Sequence, residues 1–245
     1  MSDELVLRSD VDGVATLTLN RPDKLNAMNP AAFVELRDHI DAIADDDSVR
    51  VVVLKGAGKS FCAGNDLGSI AAGEKAPTVH FQAETIDALE ALPQATIAQV
   101  HGHCYTGALE MILGCDLVIC ADTASIGDTH GQWGLIPVWG MSVRLPERVG
   151  VSKARELSYT ARRISGVEAA AMGLAVRSVP LDELDGSVAA TAKQIAANSA
   201  GTVSKMKRLI TDSQNMPRSQ ALQHERSLPY GRPDDMEERM RAGGR

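Results

Sequence analysis

The sequence predicts an α/β protein, in which strands alternate with helices around one core and helices dominate the last part of the chain. Compact apolar runs typical of strands occupy 49–54, 96–100 and 116–120. Apolar residues at helical spacing occupy 33–43, between two predicted strands. Alternation of this kind is typical of βαβ or ββα units packed as one α/β core.

The chain begins with a predicted hairpin. Two strand-like runs, 5–8 and 14–19, flank Asp12-Gly13, a dipeptide that favours a tight turn between antiparallel strands. Asn29-Pro30 then supplies a helix N-cap and a proline for the first turn. The first strand pair is therefore expected to lead directly into a helix.

The middle of the chain contains one predicted loop between two regular elements. Residues 68–78 are rich in Gly, Ala, Glu and Lys and predict a mobile surface loop, which we expect to line a ligand pocket. Residues 79–92 return to helical spacing.

Helical patterns dominate after residue 151. Ser152 is the expected cap of one helix, and 165–168 reads as a capping box that opens another. Residues 182–199 and 202–214 predict two further amphipathic helices. The tail from residue 220 is highly charged, so we expect it to dock on a partner subunit or to be disordered.

Composition excludes several classes of function. The 245 residues carry a formal net charge of −7 and a pI near 5.4, which argues against nonspecific nucleic-acid binding. No apolar run is long enough to span a bilayer, and the acidic N-terminus does not resemble a signal peptide.

The four cysteines form no CxxC pair, which favours a reducing, cytoplasmic location. His101 and His103 lack a second half with metal-ligand spacing, so no metal site is predicted.

Two glycine turns carry the main chemical signal. The first is FCAGNDL at 61–67, and the second is HGHCYTGALE at 101–110. Each follows a strand-like run and leads towards a helix, where unpaired backbone N–H groups can bind an anion. Two such turns aimed at one point would hold an oxyanion, with Glu110 beside it as an acid or base. Because its neighbours in 108–113 are apolar, we expect Glu110 to be buried rather than on the solvent side.

Several segments of this sequence occur in the order of a known family. They are LNRPDKLNAM at 19–28, FCAGNDL at 61–67, TGALE at 106–110 followed by Cys115-Asp116, GLIP at 134–137 and GLA at 173–175. Together they resemble the crotonase family, the enoyl-CoA hydratase/isomerase superfamily, from about residue 17 to about residue 179. The resemblance implies a spiral core of ββα units in 1–190 and a helical region in 191–245 used for trimerisation, with trimers often paired into hexamers.

The resemblance also implies an acyl-CoA thioester substrate and assigns roles to individual residues. The N–H groups of Asn65 and Gly107 would form the oxyanion hole, and Glu110 would hold the water that adds to the β-carbon. The substrate-binding residues implied are Lys24, Leu25, Ala27, Ala63 and Asp66. No metal or redox cofactor is implied, because hydrogen bonds alone would stabilise the enolate, and coenzyme A is part of the substrate. The C-terminal residues resemble the start of the family's last helix and stop before its usual aromatic, lysine-rich ending, so we expect its contact with a neighbour's CoA to be absent or to be replaced by Arg241 or Arg245.

His130 stands where hydratases of the family carry a second glutamate. Asp128 lies two residues earlier, so in an extended segment both side chains would share a face. A carboxylate that orients an imidazole makes a competent acid–base pair, although Asp128 and His130 could equally brace the loop.

The expected reaction is reversible hydration of a 2-enoyl-CoA. The pattern leaves open an isomerase, a hydrolase of carbon–carbon or thioester bonds that uses His130, and a noncatalytic acyl-CoA-binding protein.

Overall fold

Residues 4–243, described by the computed structural model, contain nine strands in two sheets. The strands are β1 (Val6–Val11), β2 (Val14–Leu19), β3 (Val51–Gly56), β4 (Ala95–Val100), β5 (His103–Tyr105), β6 (Leu117–Ala121), β7 (Ser125–Gly127), β8 (Ile164–Ser165) and β9 (Arg177–Val179). The larger sheet has the order β1-β2-β3-β4-β6-β9, and the smaller has the order β5-β7-β8. Only the β1–β2 and β7–β8 pairs are antiparallel among these strands.

Helices cover both faces of the larger sheet. They are α1 (Pro30–Ala44), α2 (Leu67–Ala72), α3 (Phe81–Ala91), α4 (Gly107–Leu113), α5 (His130–Trp133), α6 (Met141–Val149), α7 (Val151–Thr160), α8 (Gly166–Ala171), α9 (Leu184–Ala196), α10 (Ala200–Gln214), α11 (Arg218–Arg226) and α12 (Met236–Gly243). Strand β4 is buried along its whole length, as expected for a central strand covered on both faces. The predicted α/β class is therefore confirmed.

The N-terminal hairpin forms as predicted. Asp12 and Gly13 both have positive φ, of 50° and 77°, which matches the right-handed twist of the strands they join. The Asn29 side chain accepts a hydrogen bond from the N–H of Ala32 and so caps α1. On α1, the predicted apolar residues are buried against the sheet; they are Phe33, Leu36, Ile40 and Ile43.

Two local predictions are wrong. The predicted loop 68–78 begins with the helix α2, because Asp66 accepts hydrogen bonds from the N–H groups of Gly68 and Ser69 and caps its N-terminus. Helix α7 starts one residue before the predicted cap, Ser152, and the residue at its N-cap position is Gly150. The capping box is confirmed, since Ser165 accepts a hydrogen bond from the N–H of Glu168.

Helix α9 packs on the sheet and is part of the core. Its buried residues Leu184, Val188 and Ala192 cluster with apolar side chains of β3, β4 and β6. The boundary predicted between residues 190 and 191 falls inside this helix, and dividing the chain there would cut an element that packs on the sheet.

The charged tail is ordered over the described residues, with helices α11 and α12 joined by the nonhelical segment 227–235. Asp212 on α10 accepts hydrogen bonds from His224 on α11 and from Tyr230, and the Arg208 guanidinium lies over the Tyr230 ring. Disorder, one of the two alternatives predicted for residues after 220, is therefore wrong for 220–243. Arg241 lies on α12 and pairs with Glu237, whereas Arg245 lies outside the described residues.

A membrane-crossing element is not found in the described part of the chain. No helix within residues 4–243 combines the length and the apolar character that a bilayer span requires.

Candidate active site

Three loops that follow strands of the larger sheet pair with one another through their backbones. The N–H of Met28 donates to Gly64 at 2.8 Å, and the carbonyl of Met28 accepts from Asp66 at the same distance. The N–H of Cys62 donates to the carbonyl of His103 at 2.9 Å, which joins the first glycine turn to the second. The loops after β2, β3 and β4 are thus held side by side.

Asn26 braces this arrangement from inside. Its side chain is buried, accepts a hydrogen bond from the N–H of Arg21, and donates to the carbonyl groups of Ala57 and Ser60 at 2.8 and 2.7 Å. Its φ of 56° is one that asparagine adopts more readily than most residues. One side chain therefore satisfies three backbone groups that would otherwise be left unpaired in the loops.

The loop pairing leaves two backbone donors unused. The N–H groups of Asn65 and Gly107 make no hydrogen bond with any group of residues 4–243. The turns that carry them touch, because a Cβ added to Gly64 would lie 2.4 Å from Thr106 Oγ1 and 3.6 Å from the Gly107 nitrogen. Two unsatisfied N–H groups in one place form a site for an anionic oxygen.

Gly107 and Thr106 both show that the second turn is tightly constrained. A Cβ on Gly107 would lie 2.2 Å from Cζ3 of Trp139, whose ring also packs edge-on against Phe33 at 5.0 Å between centroids. Thr106 has a φ of 48°, an uncommon value for a residue that is not glycine. Strain of this kind is typical of functional sites, where the surrounding structure holds it in place.

Glu110 is almost fully buried, at 1% exposure, on the helix that begins with Gly107. Its Oε1 accepts hydrogen bonds from the N–H groups of Trp139 and Met141 at 2.9 and 3.1 Å. Burial raises the pKa of Glu110, and these two hydrogen bonds together with His130 only partly oppose that rise. A carboxyl group with a raised pKa in a cavity is a candidate general acid or base.

His130 links Glu110 to Asp128. Its Nδ1 lies 2.7 Å from Asp128 Oδ1, and its Nε2 lies 3.7 Å from Glu110 Oε2. Burial acts to raise the pKa of Asp128, but hydrogen bonds from His130 and Ser158 outweigh it, so that this pKa is lowered. An ionised carboxylate only accepts hydrogen bonds, so Nδ1 carries a proton and Nε2 faces Glu110.

The Asp128–His130 contact forms in a turn rather than in the extended segment that the sequence predicts. His130 is the first residue of α5, and its backbone N–H also donates to Asp128 Oδ1 at 3.2 Å. The turn brings the two side chains together because an aspartate readily accepts from the N–H two residues further on.

A cavity of about 500 Å³ collects most of the predicted site residues. Those that line it are Lys24, Ala27, Ala63, Asn65, Asp66, Gly107, Glu110 and His130. Leu25 lies outside the lining, and its carbonyl instead accepts from the N–H of Ala63 at 2.9 Å. Asp66 lines the cavity, pairs with Arg21 at 2.8 Å and caps α2, which together lower its pKa although burial opposes them.

Sequence reasoning missed the apolar wall of the cavity. Its large side chains Trp133, Leu135, Ile136 and Val138 belong to one segment, which is partly exposed. The bulky apolar residues around the GLIP motif could have indicated this wall in the sequence, but only the fold shows that they line the same cavity as Glu110. Of the predicted loop 68–78, Gly68 and Ile70 line the cavity.

His101, His103 and Cys62 have structural surroundings. His101 Nε2 lies 2.9 Å from the carbonyl of Gly58, and His103 Nδ1 lies 2.7 Å from Ser60 Oγ. Burial raises the pKa of Cys62 to about 12, which leaves this thiol unreactive. Residues 4–243 contain no group of three His, Cys, Asp or Glu side chains that could hold a metal ion.

The chain belongs to the enoyl-CoA hydratase/isomerase family, which it matches over residues 10–242. Its fold is the crotonase fold: it superimposes on the crystal structure of an enoyl-CoA hydratase from Bacillus anthracis with a TM-score of 0.92. That pair is 33% identical, and the match covers 98% of this chain and 96% of the other.

Curated relatives in this family carry more than one activity in their names. A probable peroxisomal enoyl-CoA hydratase of Arabidopsis thaliana is 30% identical over 94% of this chain and 87% of its own length. A peroxisomal Δ(3,5)-Δ(2,4)-dienoyl-CoA isomerase of the same plant is 30% identical over 90% of this chain and 85% of its own length. The protein is therefore an enzyme of the enoyl-CoA hydratase/isomerase family.

Proposed function

We propose that this enzyme reversibly adds water to 2-enoyl-CoA thioesters and that His130 takes the part of the second glutamate. The N–H groups of Asn65 and Gly107 bind the thioester oxygen and stabilise the negative charge that develops on it. Removal of one such donor typically costs about 10²- to 10³-fold in rate. This role is supported by the absence of any other acceptor for either group within residues 4–243.

Glu110 is the proposed base that activates water. The 3.7 Å between Glu110 Oε2 and His130 Nε2 is too long for a direct hydrogen bond, but one water molecule can contact both atoms. Oε1 is held by two backbone N–H groups, so Oε2 is the oxygen available to that water. The water proton passes to Oε2 as the water oxygen bonds to the β-carbon, and the electron pair of the double bond moves towards the thioester oxygen.

His130 is the proposed acid at the α-carbon. Its Nε2 proton passes to the α-carbon as the enolate collapses to the thioester, and Asp128 stabilises the imidazolium before that step. Glu110 then returns the proton it took from water to His130, which restores both groups. The balance is one water consumed and one 3-hydroxyacyl-CoA formed, and no metal or redox cofactor is required by it.

The CoA moiety is proposed to lie along the paired loops. Lys24, Ala27, Ala63 and Asp66 line the same cavity as the catalytic groups, with the Lys24 ammonium available for a phosphate. Because Leu25 lies outside the lining, its proposed contribution is limited to its backbone.

We also propose that α10–α12 mediate a homotrimer or a pair of trimers. Met206, Ile210 and Met240 on these helices are exposed in the single chain, as expected for a face that another subunit covers.

An isomerase is the second candidate. Glu110 and His130 are two proton-transfer groups placed side by side, and such a pair could also move a proton between the α- and γ-carbons of an enoyl chain. Hydrolysis by water activated at His130 uses the same geometry. Hydration is preferred because one water molecule beside the pair can contact both Glu110 Oε2 and His130 Nε2, and the similarity to proteins named enoyl-CoA hydratase supports it.

The test of function follows the conjugated thioester absorbance with 2-butenoyl-CoA and with longer 2-enoyl-CoA esters. Hydration removes this absorbance and places one oxygen from labelled water in the product. Gain of absorbance from a 3-enoyl-CoA would instead establish isomerisation, and release of free CoA would establish thioester hydrolysis. Binding of CoA esters without turnover at any chain length would refute the enzymatic proposal.

Glu110→Gln tests the role of Glu110 as the base separately from substrate binding. Glutamine keeps the acceptor for the N–H groups of Trp139 and Met141 but cannot take a proton from water. We expect turnover to fall by about 10²- to 10⁴-fold with CoA-ester affinity nearly unchanged. Full activity in this variant would refute the assignment of Glu110.

A further inference from the structure

Arg144, on the first turn of α6, is almost fully engaged by groups on two other segments. Its Nη1 donates to the carbonyl of Trp139 at 2.9 Å. Its Nε and Nη2 donate to Glu90 Oε2 at 3.0 and 2.5 Å, and Nη2 also donates to Asp87 Oδ1 at 2.6 Å. Asp87 and Glu90 belong to α3, so the guanidinium connects that helix to the backbone just before α6. The Arg144 side chain is only 11% exposed, whereas the side chains of Asp87 and Glu90 are 62% and 46% exposed, so the guanidinium lies inside while its carboxylate partners face solvent.

The backbone that Arg144 contacts is the same one that holds Glu110. The N–H groups of Trp139 and Met141 both donate to Glu110 Oε1, and Gly140 lies between them. Gly140 has a φ of 112°, and a Cβ added to it would lie 2.2 Å from Arg144 Nη1. The guanidinium therefore occupies the space that a side chain at this position would need, directly against the turn.

We propose that Arg144 is a positioning residue for catalysis: anchored by Asp87 and Glu90, it holds the 139–141 backbone so that Glu110 keeps Oε2 directed at the substrate. This inference rests on the proposed role of Glu110 as the base. Arg144 does not line the catalytic cavity, so it acts only through the turn.

A positioning role for Arg144 predicts a change in the titration of Glu110, which a purely structural role does not. The two backbone hydrogen bonds favour the ionised form of Glu110, so misalignment of the turn should raise the pKa of this carboxyl further. The other charges that act on Glu110 are His130 and Asp128, and neither contacts Arg144. A change at Arg144 should therefore shift the pH dependence of turnover, and Arg144 itself makes no hydrogen bond to Asn65 or Gly107.

The experiment compares Arg144→Met and Arg144→Lys with Arg8→Met. Arg8 is a matched control, because it also pairs with two carboxylates, Asp10 and Asp46, and lies on β1 away from the cavity. For both Arg144 variants we expect kcat to fall by up to about 10²-fold, the cost of a displacement near 1 Å, with KM nearly unchanged. The acid limb of the kcat–pH profile should move to higher pH, whereas Arg8→Met should keep the wild-type profile.

A second readout does not depend on activity. The infrared carboxyl band of Glu110 is isolated as the difference between the spectra of the wild type and Glu110→Gln, and its titration gives the pKa directly. The same difference taken in the Arg144→Met background should titrate at higher pH. If Arg144→Met does not fold, the Asp87→Asn/Glu90→Gln variant leaves the arginine in place without its anchors and should show the same shift in smaller measure.

The outcomes separate this inference from the proposed function. If Arg144→Met and Arg144→Lys keep the wild-type kcat and pH profile while Glu110→Gln is inactive, Arg144 has no positioning role and the hydratase proposal stands. A loss of folding stability in the Arg144 variants with an unchanged Glu110 titration would also overturn the inference. If Glu110→Gln is fully active, the proposed role of Glu110 as the base is refuted. The infrared titration then still shows whether Arg144 affects the pKa of the Glu110 carboxyl.

Discussion

Gly107→Ala is the substitution that tests the second turn most directly. The added Cβ would lie 2.2 Å from Cζ3 and 2.9 Å from Cε3 of Trp139, more than 1 Å inside the ordinary contact distance for Cζ3. Gly107 does not have a positive φ, so any penalty arises from this contact and not from backbone strain. The indole cannot move freely, because its ring also packs against Phe33 and its backbone N–H holds Glu110.

The structure sets the size of the expected effect. Overpacking of this kind costs about 1–3 kcal/mol of folding stability. A displacement near 1 Å at the oxyanion donor or at the base costs about 10²-fold in rate, and here one methyl group disturbs both. We therefore expect kcat/KM to fall by at least about 10²-fold while the protein still folds.

The control is Gly186→Ala on α9. A Cβ at Gly186 meets no atom within 4 Å, so alanine should stabilise the protein by about 0.4–1 kcal/mol and leave activity unchanged. Stability is measured by urea denaturation and activity by loss of the enoyl thioester absorbance. Equal behaviour of the two alanine variants would show that the contact between Gly107 and Trp139 does not limit the site.

Three further predictions concern buried polar groups. Glu110→Gln should raise Tm at neutral pH, because the raised pKa means that the ionised carboxyl is costly in the folded state. This gain should shrink as pH falls below the folded-state pKa of Glu110 and be absent below its unfolded-state pKa; a gain of unchanged size below the unfolded-state pKa would contradict the pKa shift. Asp128→Asn should act oppositely. At a pH above the unfolded-state pKa of Asp128, the lowered pKa of this carboxyl in the folded protein stabilises the fold, so the variant should have a lower Tm at neutral pH and approach the wild-type Tm in acid. The kcat of the same variant should fall by about 10²-fold or more, because the His130 imidazolium loses its counter-charge. Unchanged turnover would show that Asp128 only stabilises its loop. Asn26→Ala should destabilise the chain by at least about 2 kcal/mol in urea denaturation, since three backbone groups lose their partner; Asn20→Ala, which removes one exposed hydrogen bond, should cost under about 0.5 kcal/mol.

Features set by short-range rules could be predicted from the sequence. The Asp12-Gly13 hairpin, the Asn29 cap and the Ser165 capping box all depend on residues within a few positions of one another. The cap predicted at Ser152 was wrong because a local rule was applied to a residue that lies inside the helix. Helix α2 was missed because its composition resembles a loop, and only the Asp66 side chain shows that the chain turns into a helix there.

The parts of the site that sequence reasoning missed depend on long-range contacts. Trp139 lies 32 positions after Gly107 in the chain, yet its ring is in direct contact with that glycine. Arg144 reaches Glu90 across 54 positions. Neither residue belongs to a motif, and each becomes informative only when α3, α4 and α6 are packed together.

By itself, the sequence predicted the groups to which the chemistry is assigned in the proposed function: the N–H groups of two glycine turns, a carboxylate on an apolar helix, and a histidine beside an aspartate. These could be recognised because each group needs a particular residue type at a particular place in a turn or helix. Only the tertiary structure decided how the groups meet, with Oε1 of Glu110 held by the 139–141 backbone and Oε2 3.7 Å from His130. The physical reason is that hydrogen-bond direction and burial, which set the pKa of Glu110, depend on neighbours brought together by packing rather than by position in the chain.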